Sequence, residues 1–438
     1  MADQCPQKKN TWESWDAEYI WHPYTQMHLS PQVPGVERAS GSYLTLADGK
    51  KIFDGISSWW VTLHGHSHPY IAEAIAKQAS KLEQVIFAGF THESASVLAK
   101  KLIERTPNGL TKVFFSDDGS TAVEVALKMS VQYWKLRGET RTTFLALEHS
   151  YHGDTFGAMS ASSRSTFTDA FTPMLFDVIH LPFPTPPEYD SEQFSDDEQK
   201  FLDALMKHCS SDRNIAAFIY EPLLLGAGGM KIWRKKILEE ALKIVHTHHI
   251  LAIADEVLTG FGRTGTFFAS DAMDNSPDMM TLSKGITGGF LPLGVTLCTK
   301  NIYDTFLSSD RAKTFFHGHS YTGNPISCAA GVASLEIFES EPVFERIQTI
   351  TNVHQERMPL LAKKNDNVFR ILGTMAAMQP RKPEGYLSSR MQGIGRRCLE
   401  SGLLLRPLGD TIYFLPPYST TANDLHKAYD ILEEVLQK

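Results

Sequence analysis

Short apolar runs alternate with longer segments between Lys112 and Cys298, and this alternation constrains the fold more than any other feature of the chain. Seven of the runs have strand propensity, and most are separated by segments long enough for a helix. The runs are KVFFSDD, TTFLALE, FDVIHL, IAAFIYEP, ILAIADE, MTLSK and LGVTLC. Strand–helix alternation of this kind predicts an α/β fold with a doubly wound, mostly parallel seven-stranded sheet.

Two of these strands end in side chains that suit chemistry. Asp255 follows the run Ile250–Ala254, and Lys284 follows Met279–Leu282. Ligands of open α/β sheets bind at the carboxyl ends of the strands. A lysine that forms a Schiff base, beside a carboxylate that keeps a pyridine nitrogen protonated, is what pyridoxal 5′-phosphate chemistry requires. Taken singly, each has an ordinary reading, a helix cap for the aspartate and a solvated charge for the lysine.

A phosphate site is indicated where the first of the seven strands turns into a helix at Gly119, Ser120 and Thr121. Backbone N–H groups, a helix dipole and hydroxyl groups converge there, which suits a phosphate. Ser120 as a plain helix N-cap is the alternative. The sequence contains no Walker motif, so a nucleoside triphosphate is not the indicated ligand.

A GxGxxG pattern at Gly260–Gly265 raises a competing hypothesis, a nicotinamide dehydrogenase. The dinucleotide motif requires glycines that turn directly from a strand into a helix, with an acidic residue ending the next strand. Here Glu256–Thr259 separate the glycines from the strand, a poor helix former follows, and Asp278 precedes its strand. The pattern therefore disfavours dinucleotide binding.

Further strand ends carry polar residues with two readings each. Tyr151, after the strand TTFLALE, either stacks on a planar cofactor or belongs to a turn, and Asp154 either orients a neighbour or satisfies that turn. Glu221 adds another carboxylate at the end of IAAFIYE. Convergence of this many polar strand ends favours a functional site at this edge of the sheet.

Arg406 stands in the apolar stretch LLLRP. A buried guanidinium is costly unless it is paired, and its planar fork suits bidentate capture of a carboxylate. The alternative is an internal ion pair with Asp410 or Glu400.

The segment ISSWWVTLHGHSHP contains adjacent tryptophans and alternating histidines. On a strand or a helix, Trp59 and Trp60 diverge, so at most one lines a given pocket and the other packs in the core. The period of two places His64, His66 and His68 on one strand face, but the glycine and proline among them indicate a turn. No metal site is predicted there.

Composition excludes several classes of protein. The 438 residues include 42% hydrophobic and 21% charged residues, and a formal net charge of −8 without a basic cluster argues against nucleic acid as a partner. No window reaches the length of a membrane span, and the amino terminus lacks an apolar signal core. Five widely spaced cysteines without a CxxC motif fit a reducing cytoplasm.

The length predicts a large domain over residues 57–330 and a small domain formed by both termini, residues 1–56 and 331–438. The small domain contains a β-hairpin around Asp48-Gly49 and a strand pair in LLLRPLGDTIYFLPP. An arm or helix is expected before residue 20. Further helices are predicted at Cys328–Glu339, Glu341–Lys364, Ser388–Ser401 and Ala422–Leu436.

The motifs DDGSTAVEVALK, HSYHGD, ADEVLTGFGRTG, LSKGITGGFLPLG and HGHSYTGNP resemble those of the class III pyridoxal-phosphate aminotransferases of fold type I, over nearly the whole chain. The resemblance implies a homodimer with shared active sites. It implies catalytic roles for Lys284, Asp255 and Tyr151. It further implies that the cofactor contacts Gly119, Ser120, Tyr151, Asp255, Val257 and Lys284, together with His319 and Ser320 of the other subunit.

Three further motifs, IWHPYTQM, SSWW and RPLGDTIYFLPPY, resemble the branch of that family that acts in biotin synthesis. This implies transfer of an amino group to 8-amino-7-oxononanoate, giving 7,8-diaminononanoate, from S-adenosylmethionine or, as in some relatives, lysine. The alternative is another class III enzyme of the ω-amino acid or ornithine type. The implied substrate contacts are Tyr24, Trp59, Trp60, Tyr151, Lys284, Gly318, Arg406, whose guanidinium would bind the substrate carboxylate, and Tyr413.

Three residues are left without a defined role by this resemblance, namely Asp154, Arg263 and Glu221. The loop HGHS also departs from the HGPT found in many relatives. Ser320 keeps the hydroxyl that a phosphate contact requires.

Overall fold

A computed structural model describes residues 12–30, 33–187, 192–382 and 389–437, which form helices packed around four β-sheets. In chain order the strands are β1 (Val36–Ser40), β2 (Tyr43–Leu46), β3 (Lys51–Asp54), β4 (Leu110–Ser116), β5 (Thr143–Leu147), β6 (Val178–Leu181), β7 (Ile215–Tyr220), β8 (Leu224–Leu225), β9 (Lys231–Ile232), β10 (Leu251–Asp255), β11 (Met279–Leu282), β12 (Gly294–Thr299), β13 (Asn367–Leu372), β14 (Met375–Pro380), β15 (Leu403–Leu404) and β16 (Ile412–Phe414).

The α-helices also carry numbers in chain order. They are α1 (Trp12–Tyr19), α2 (Ser57–Trp60), α3 (Pro69–Lys81), α4 (Glu93–Ile103), α5 (Gly119–Leu136), α6 (Phe156–Ala161), α7 (Asp196–Ser211), α8 (Lys235–Thr247), α9 (Lys300–Phe306), α10 (Pro325–Ser340), α11 (Val343–Lys364), α12 (Ser389–Glu400) and α13 (Ala422–Leu436). In the described residues, none of these helices is long and apolar enough to cross a bilayer.

The central sheet has seven strands in the order β4-β12-β11-β10-β7-β5-β6. Strands β11, β10, β7, β5 and β6 run parallel to one another, and β12 is antiparallel to both of its neighbours. Each of the seven apolar runs forms one of these strands. The predicted mostly parallel sheet is therefore confirmed.

Both faces of this sheet are covered, which explains why its central strands are apolar throughout. All residues of β7, β10 and β11 are buried. Phe218 and Tyr220 of β7 pack with α7 and α8 on one face, while Ala217 and Ile219 pack with α5 on the other. Because helices cover both faces of the sheet, these strands lack the alternation of apolar and polar residues that is typical of a half-exposed strand.

Segments from both ends of the chain meet in a smaller four-stranded sheet of order β1-β2-β3-β15. The predicted hairpin around Asp48-Gly49 is present as β2 and β3, and β15 pairs with β3 in parallel. A three-stranded sheet, β13-β14-β16, lies beside α11. The β3–β15 pairing joins segments from both ends of the chain. The division into residues 57–330 and residues 1–56 with 331–438 stays a prediction.

Two local expectations need correction. The run LLLRPLGDTIYFLPP does not pair with itself as strands, because β15 joins β3 and β16 joins β14, with only a Leu408–Thr411 bridge between them. Proline and glycine inside the run interrupt the ladder there.

The four predicted carboxyl-terminal helices correspond to α10, α11, α12 and α13. Residues 1–11, part of the predicted arm, lie outside the described residues.

The segment SSWW is neither a strand nor a regular helix. Positive φ angles occur at Ser57, Ser58 and Trp60, and the Asp54 carboxylate accepts main-chain hydrogen bonds from Ile56 at 3.2 Å and Ser58 at 2.6 Å. This sharp turn brings the two indole rings to different parts of one site. Regular strand or helix geometry does not apply to them.

Candidate active site

A cavity of about 510 Å³ lies at the carboxyl edge of the central sheet. Its wall consists mainly of residues that follow, or end, five of the seven strands. They are Asp117–Ser120 after β4, Tyr151–Gly153 after β5, Glu221 after β7, Asp255 at the end of β10, and Ser283 and Lys284 after β11. The strand-end residues singled out in the sequence therefore line one cavity.

Lys284 begins a short 3-10 helix directly after β11, with a φ of 33°. A left-handed backbone costs a residue other than glycine on the order of 1–3 kcal/mol, so the surroundings must hold it in place. Its Nζ lies 5.1 Å from the centre of the Trp60 ring. Burial lowers the pKa of Lys284, and attraction to Asp255 and Glu221 offsets part of that effect. The lowered pKa favours the unprotonated, nucleophilic amine.

Asp255 is fixed by three neighbours. The Val257 main-chain N–H donates to Oδ1 at 3.1 Å, and the Thr281 hydroxyl donates to the same oxygen at 3.3 Å. The other oxygen, Oδ2, lies 2.7 Å from Nδ1 of His152. Asp255 is only 4% exposed, so its carboxylate holds one orientation in the cavity wall.

His152 is a site residue to which sequence reasoning assigned no role. Its side chain is fully buried, and its Nε2 has no hydrogen-bond partner in the described part of the chain. Its contact with Asp255 fixes the direction of that carboxylate. The only signal was its place beside Tyr151 after a predicted strand, since residue type does not distinguish it among 17 histidines.

Glu221 connects two loops of the cavity. Its carboxylate accepts the main-chain N–H of Tyr151 at 3.1 Å and that of Gly226 at 2.9 Å. Burial, together with the neighbouring Asp255 charge, raises the pKa of Glu221 to about 7, although His152 and the two N–H donors act in the opposite direction. Glu221 therefore braces the segment that carries Tyr151.

The amino terminus of α5 forms one end of the cavity. Asp118 caps the helix by accepting the Thr121 N–H at 2.8 Å, which leaves the first-turn N–H groups of Gly119 and Ser120 without an intrahelical acceptor. A Cβ atom on Gly119 would lie 2.8 Å from Cγ1 of Val257. Only glycine lets this helix end approach Val257 so closely, and the exposed N–H groups suit a phosphate.

Tyr24, Tyr151 and Asp154 meet at the mouth of the cavity. The Tyr24 hydroxyl donates a short hydrogen bond to Oδ2 of Asp154 and lies 3.4 Å from the Tyr151 hydroxyl. Burial, with hydrogen bonding to Tyr24 and Asp154, raises the pKa of Tyr151 far above its ordinary value. The Tyr24 ring also packs edge-on against Trp59, with ring centres 5.5 Å apart. The phenol of Tyr151 thus stays protonated.

Arg406 is exposed, so the expectation of a buried guanidinium is wrong. Its Cζ stacks 4.7 Å from the centre of the Trp59 ring, and Nη2 donates to the Tyr24 carbonyl oxygen at 3.3 Å. The apolar residues around Arg406 suggested a buried strand, but β15 ends at Leu404, before the arginine. Trp59 accordingly lies half-buried at the mouth, while the buried Trp60 is the tryptophan that lines the cavity.

Two predicted residues stand behind the cavity wall. Tyr413 is 1% exposed, and its hydroxyl accepts a hydrogen bond from Nε1 of Trp60 at 3.0 Å, so it positions Trp60 and does not itself line the cavity. Arg263 is also 1% exposed and donates to the carbonyl oxygens of Pro416, Trp60 and Thr62. Arg263 therefore ties together three segments of the chain behind the site.

The loop of Gly318, His319 and Ser320 does not line the cavity of its own chain. Nε2 of His319 lies 3.8 Å from Asp117, and the Ser320 carbonyl oxygen accepts a hydrogen bond from Gln84 at 2.6 Å. In the described part of one chain, this end of the cavity is lined by Asp117, Asp118, Gly119 and Ser120.

The competing motifs occupy other surroundings. The glycines of Gly260–Gly265 are followed by turns and the 3-10 helix Ala269–Ala272, so they do not begin an α-helix as a dinucleotide site requires. The three histidines bind separate partners, His64 to Ser334, His66 to Asp54 and His68 to Glu341. Each ring is therefore part of a local hydrogen bond.

The cavity fits pyridoxal 5′-phosphate. It offers an amine of lowered pKa, a buried carboxylate, the side chains of Tyr151 and Val257 in its wall, and the first-turn N–H groups of α5 for the phosphate. The class III aminotransferase family matches residues 26–436. The chain belongs to this family and is an aminotransferase that depends on pyridoxal 5′-phosphate.

Individual relatives define its place within the family more narrowly. The adenosylmethionine-8-amino-7-oxononanoate aminotransferase of Synechococcus elongatus is 45% identical over 424 residues, covering 95% of this chain and 99% of the relative. The crystal structure of the enzyme of that name from Methanocaldococcus jannaschii superimposes with a TM-score of 0.92 at 37% identity, over 98% and 99% of the two chains. An amine transaminase from an uncultivated Pseudomonas species, solved in its PLP-bound form, superimposes at 0.88 with 30% identity, over 96% and 98%.

Proposed function

We propose that this aminotransferase transfers an amino group to the ketone of 8-amino-7-oxononanoate, giving 7,8-diaminononanoate for biotin synthesis, with S-adenosylmethionine as the donor. The names of relatives that are 37–45% identical over nearly full length support this substrate pair. The observation that carries the chemistry is that Lys284 and Asp255 line one cavity, with the pKa of the lysine lowered by burial.

The described residues divide the catalytic work. When bound, pyridoxal 5′-phosphate supplies an aldehyde carbon for the amine and a ring that takes up negative charge from the reacting carbon. Lys284 provides the amine that holds the cofactor and, once released, moves a proton at the reacting carbon. Asp255, oriented by His152, binds the ring nitrogen and keeps it protonated. Tyr151 and Val257 enclose the ring.

Substrate contacts are proposed at the mouth of the cavity. Tyr24, Trp59 and Trp60 provide aromatic walls for the aliphatic chain of the acceptor, and Arg406 presents an exposed guanidinium to its carboxylate. Support comes from the exposed guanidinium of Arg406, which stacks on Trp59 and donates from Nη2 to Tyr24, and whose planar shape suits a carboxylate. Aromatic walls and a cation suit a ligand that is apolar along its length and anionic at one end.

A homodimer with shared sites is proposed because one chain leaves the phosphate end incomplete. Lys284 is the only lysine or arginine among the described residues that line the cavity, although a phosphate carries about −1.5 to −2 charge. Gly318, His319 and Ser320 of the partner subunit would supply further contacts. Large apolar side chains near this loop are exposed, as an interface requires: Ile86, Phe90, Phe316 and Tyr321.

A cytoplasmic location is part of the proposal. The four cysteines in the described residues, Cys209, Cys298, Cys328 and Cys398, are buried and unpaired. Free buried thiols suit a reducing compartment.

An ω-amine substrate is the second candidate, because structures of amine and omega transaminases superimpose on this chain as well. The test adds S-adenosylmethionine, lysine, an ω-amino acid and ornithine singly to the holoenzyme and follows the cofactor absorbance. The proposal predicts conversion by S-adenosylmethionine and reversal by 8-amino-7-oxononanoate. Conversion by ω-amines alone, with no reversal by that ketone, would favour the second candidate.

A further inference from the structure

A second cavity of about 330 Å³ adjoins the first. Tyr151, Gly153 and Ala227 line both cavities, so the two are adjacent. Lys231 of β9 and the segment from Leu408 to Thr411 also line the second cavity. The second cavity is therefore a direct neighbour of the cavity that contains Lys284 and Asp255.

Lys231 is a cation of this second cavity that has no ion-pair partner among the described residues. It is half-buried, its Nζ lies 5.3 Å from the centre of the Phe183 ring, and it forms no hydrogen bond or ion pair with any residue of the described ranges. Arg164 also lines the cavity, but its guanidinium donates to main-chain carbonyl oxygens, such as that of Ser160 at 3.0 Å. Burial and the neighbouring Arg370 lower the pKa of Lys231 to about 8, and attraction to Glu148 offsets part of that effect.

A half-buried ammonium that lies beside a second cation and forms no ion pair in the described residues gains from binding an anion. The carboxylate of Asp154, which also lines the cavity, accepts from Tyr24, and the Arg370 guanidinium donates to Gly229, Met230 and Gln379. Lys231 thus keeps its three N–H donors available. A carboxylate matches this arrangement, since a lysine binds it as a point charge.

We propose that the second cavity is a carboxylate subsite and that Lys231 is the residue that binds the anion. This inference rests on the proposed function, in which two carboxylate-bearing substrates enter in turn. One carries its carboxylate beside the reacting amine, and the other carries it at the far end of an aliphatic chain. Two different positions call for two cations, and the structure has them, Arg406 at the mouth and Lys231 in the second cavity.

The first experiment measures binding of nonanoate to the holoenzyme by calorimetry, comparing wild type with Lys231→Met and Lys231→Arg. Lys236→Met is the matched control, because Lys236 makes a similar contact with Phe194, at 5.1 Å, away from both cavities. We expect Lys231→Met to weaken binding roughly 10- to 100-fold, with Lys231→Arg and Lys236→Met close to wild type. Equal affinity of Lys231→Met and wild type would overturn the subsite.

The second experiment assigns the source of the carboxylate. The substrate concentration that gives half of the maximal change in cofactor absorbance is measured separately for S-adenosylmethionine and for 8-amino-7-oxononanoate. Lys231→Met should raise this concentration for one substrate and leave it unchanged for the other. The methyl ester of the affected substrate should bind wild type and Lys231→Met equally. Unchanged half-saturation for both substrates would contradict the inference. If wild type responds to neither substrate, the proposed function fails, and the nonanoate measurement still decides the subsite.

Discussion

The floor and the rim of the active-site cavity are built in different ways. We call Lys284, Asp255, His152 and Glu221 the floor, and Ser120, Tyr24 and Arg406 the rim. Floor residues follow strands of one sheet, and they are held by contacts such as the 2.7 Å pair of His152 and Asp255. Rim residues are partly exposed and come from a helix end and from loops near both termini.

This difference indicates which residues carry the chemistry and which carry the selectivity. A floor built on the carboxyl ends of buried strands is rigid, because the sheet is covered on both faces. The rim is made of loops and a helix end, and changes in their sequence or in the oligomeric state do not disturb the sheet. We therefore expect substitutions of Lys284, Asp255 and His152 to reduce the rate, substitution of Glu221 to act mainly on stability, and rim substitutions to change affinity.

The largest effect is expected for Lys284→Ala. Loss of the nucleophilic amine should lower kcat by on the order of 10³-fold or more, because both the cofactor linkage and the proton transfer depend on it. Steady-state turnover at saturating cofactor measures this, with Lys300→Ala as a surface control. Near wild-type turnover in Lys284→Ala would show that the floor does not carry the chemistry.

Asp255→Ala should follow. Removing a buried carboxylate leaves its partners unpaired, and we expect cofactor binding to weaken by about 3–5 kcal/mol together with a loss of activity. Asp255→Asn keeps the shape but not the charge, so it should lose almost as much activity. Activity retained in the asparagine variant would mean that charge at this position is not required.

His152→Ala is expected to lower kcat roughly 10- to 100-fold through misorientation of Asp255. His152→Asn retains an N–H donor and should recover part of the loss. The pH titration of the cofactor absorbance separates positioning from general destabilisation. A melting temperature that falls while the titration stays unchanged would reduce His152 to a packing residue.

Ser320→Ala tests the contact that a partner subunit is proposed to add to the rim. Loss of one hydrogen bond to a charged phosphate should raise the cofactor dissociation constant roughly tenfold, with kcat at saturating cofactor unchanged. Sedimentation of the wild-type protein establishes the dimer on which this depends. Unaltered cofactor affinity would place the phosphate contact elsewhere.

Glu221 should affect stability more than rate. Because its folded pKa of about 7 exceeds the ordinary glutamate value of 4.5, its contribution to stability is fully present below pH 4.5 and is lost as the pH rises through 7. The loss amounts to about 3 kcal/mol. Measured against Glu221→Gln, the melting temperature of wild type should therefore decline between pH 5 and pH 8. A constant difference over that range would contradict the raised pKa.

Strand-end residues were predictable from the sequence because parallel strands bring their carboxyl ends to one edge of a sheet. The sequence therefore predicted that Asp255 and Lys284 lie together. The same periodicity predicted all seven strands and the helix α13 at its observed bounds. Side chains in irregular segments were not predictable in this way. The positive φ angles around Trp60 and the exposure of Arg406 depend on tertiary contacts that strand and helix patterns do not encode.

The central claim is that the amine of residue 284 carries the cofactor. Reduction of the holoenzyme with borohydride, followed by proteolysis and mass spectrometry, tests it directly. The account predicts a pyridoxyl adduct on Lys284, absent from Lys284→Ala treated in the same way. An adduct on a different lysine, or a fully loaded enzyme that yields no adduct, would contradict it.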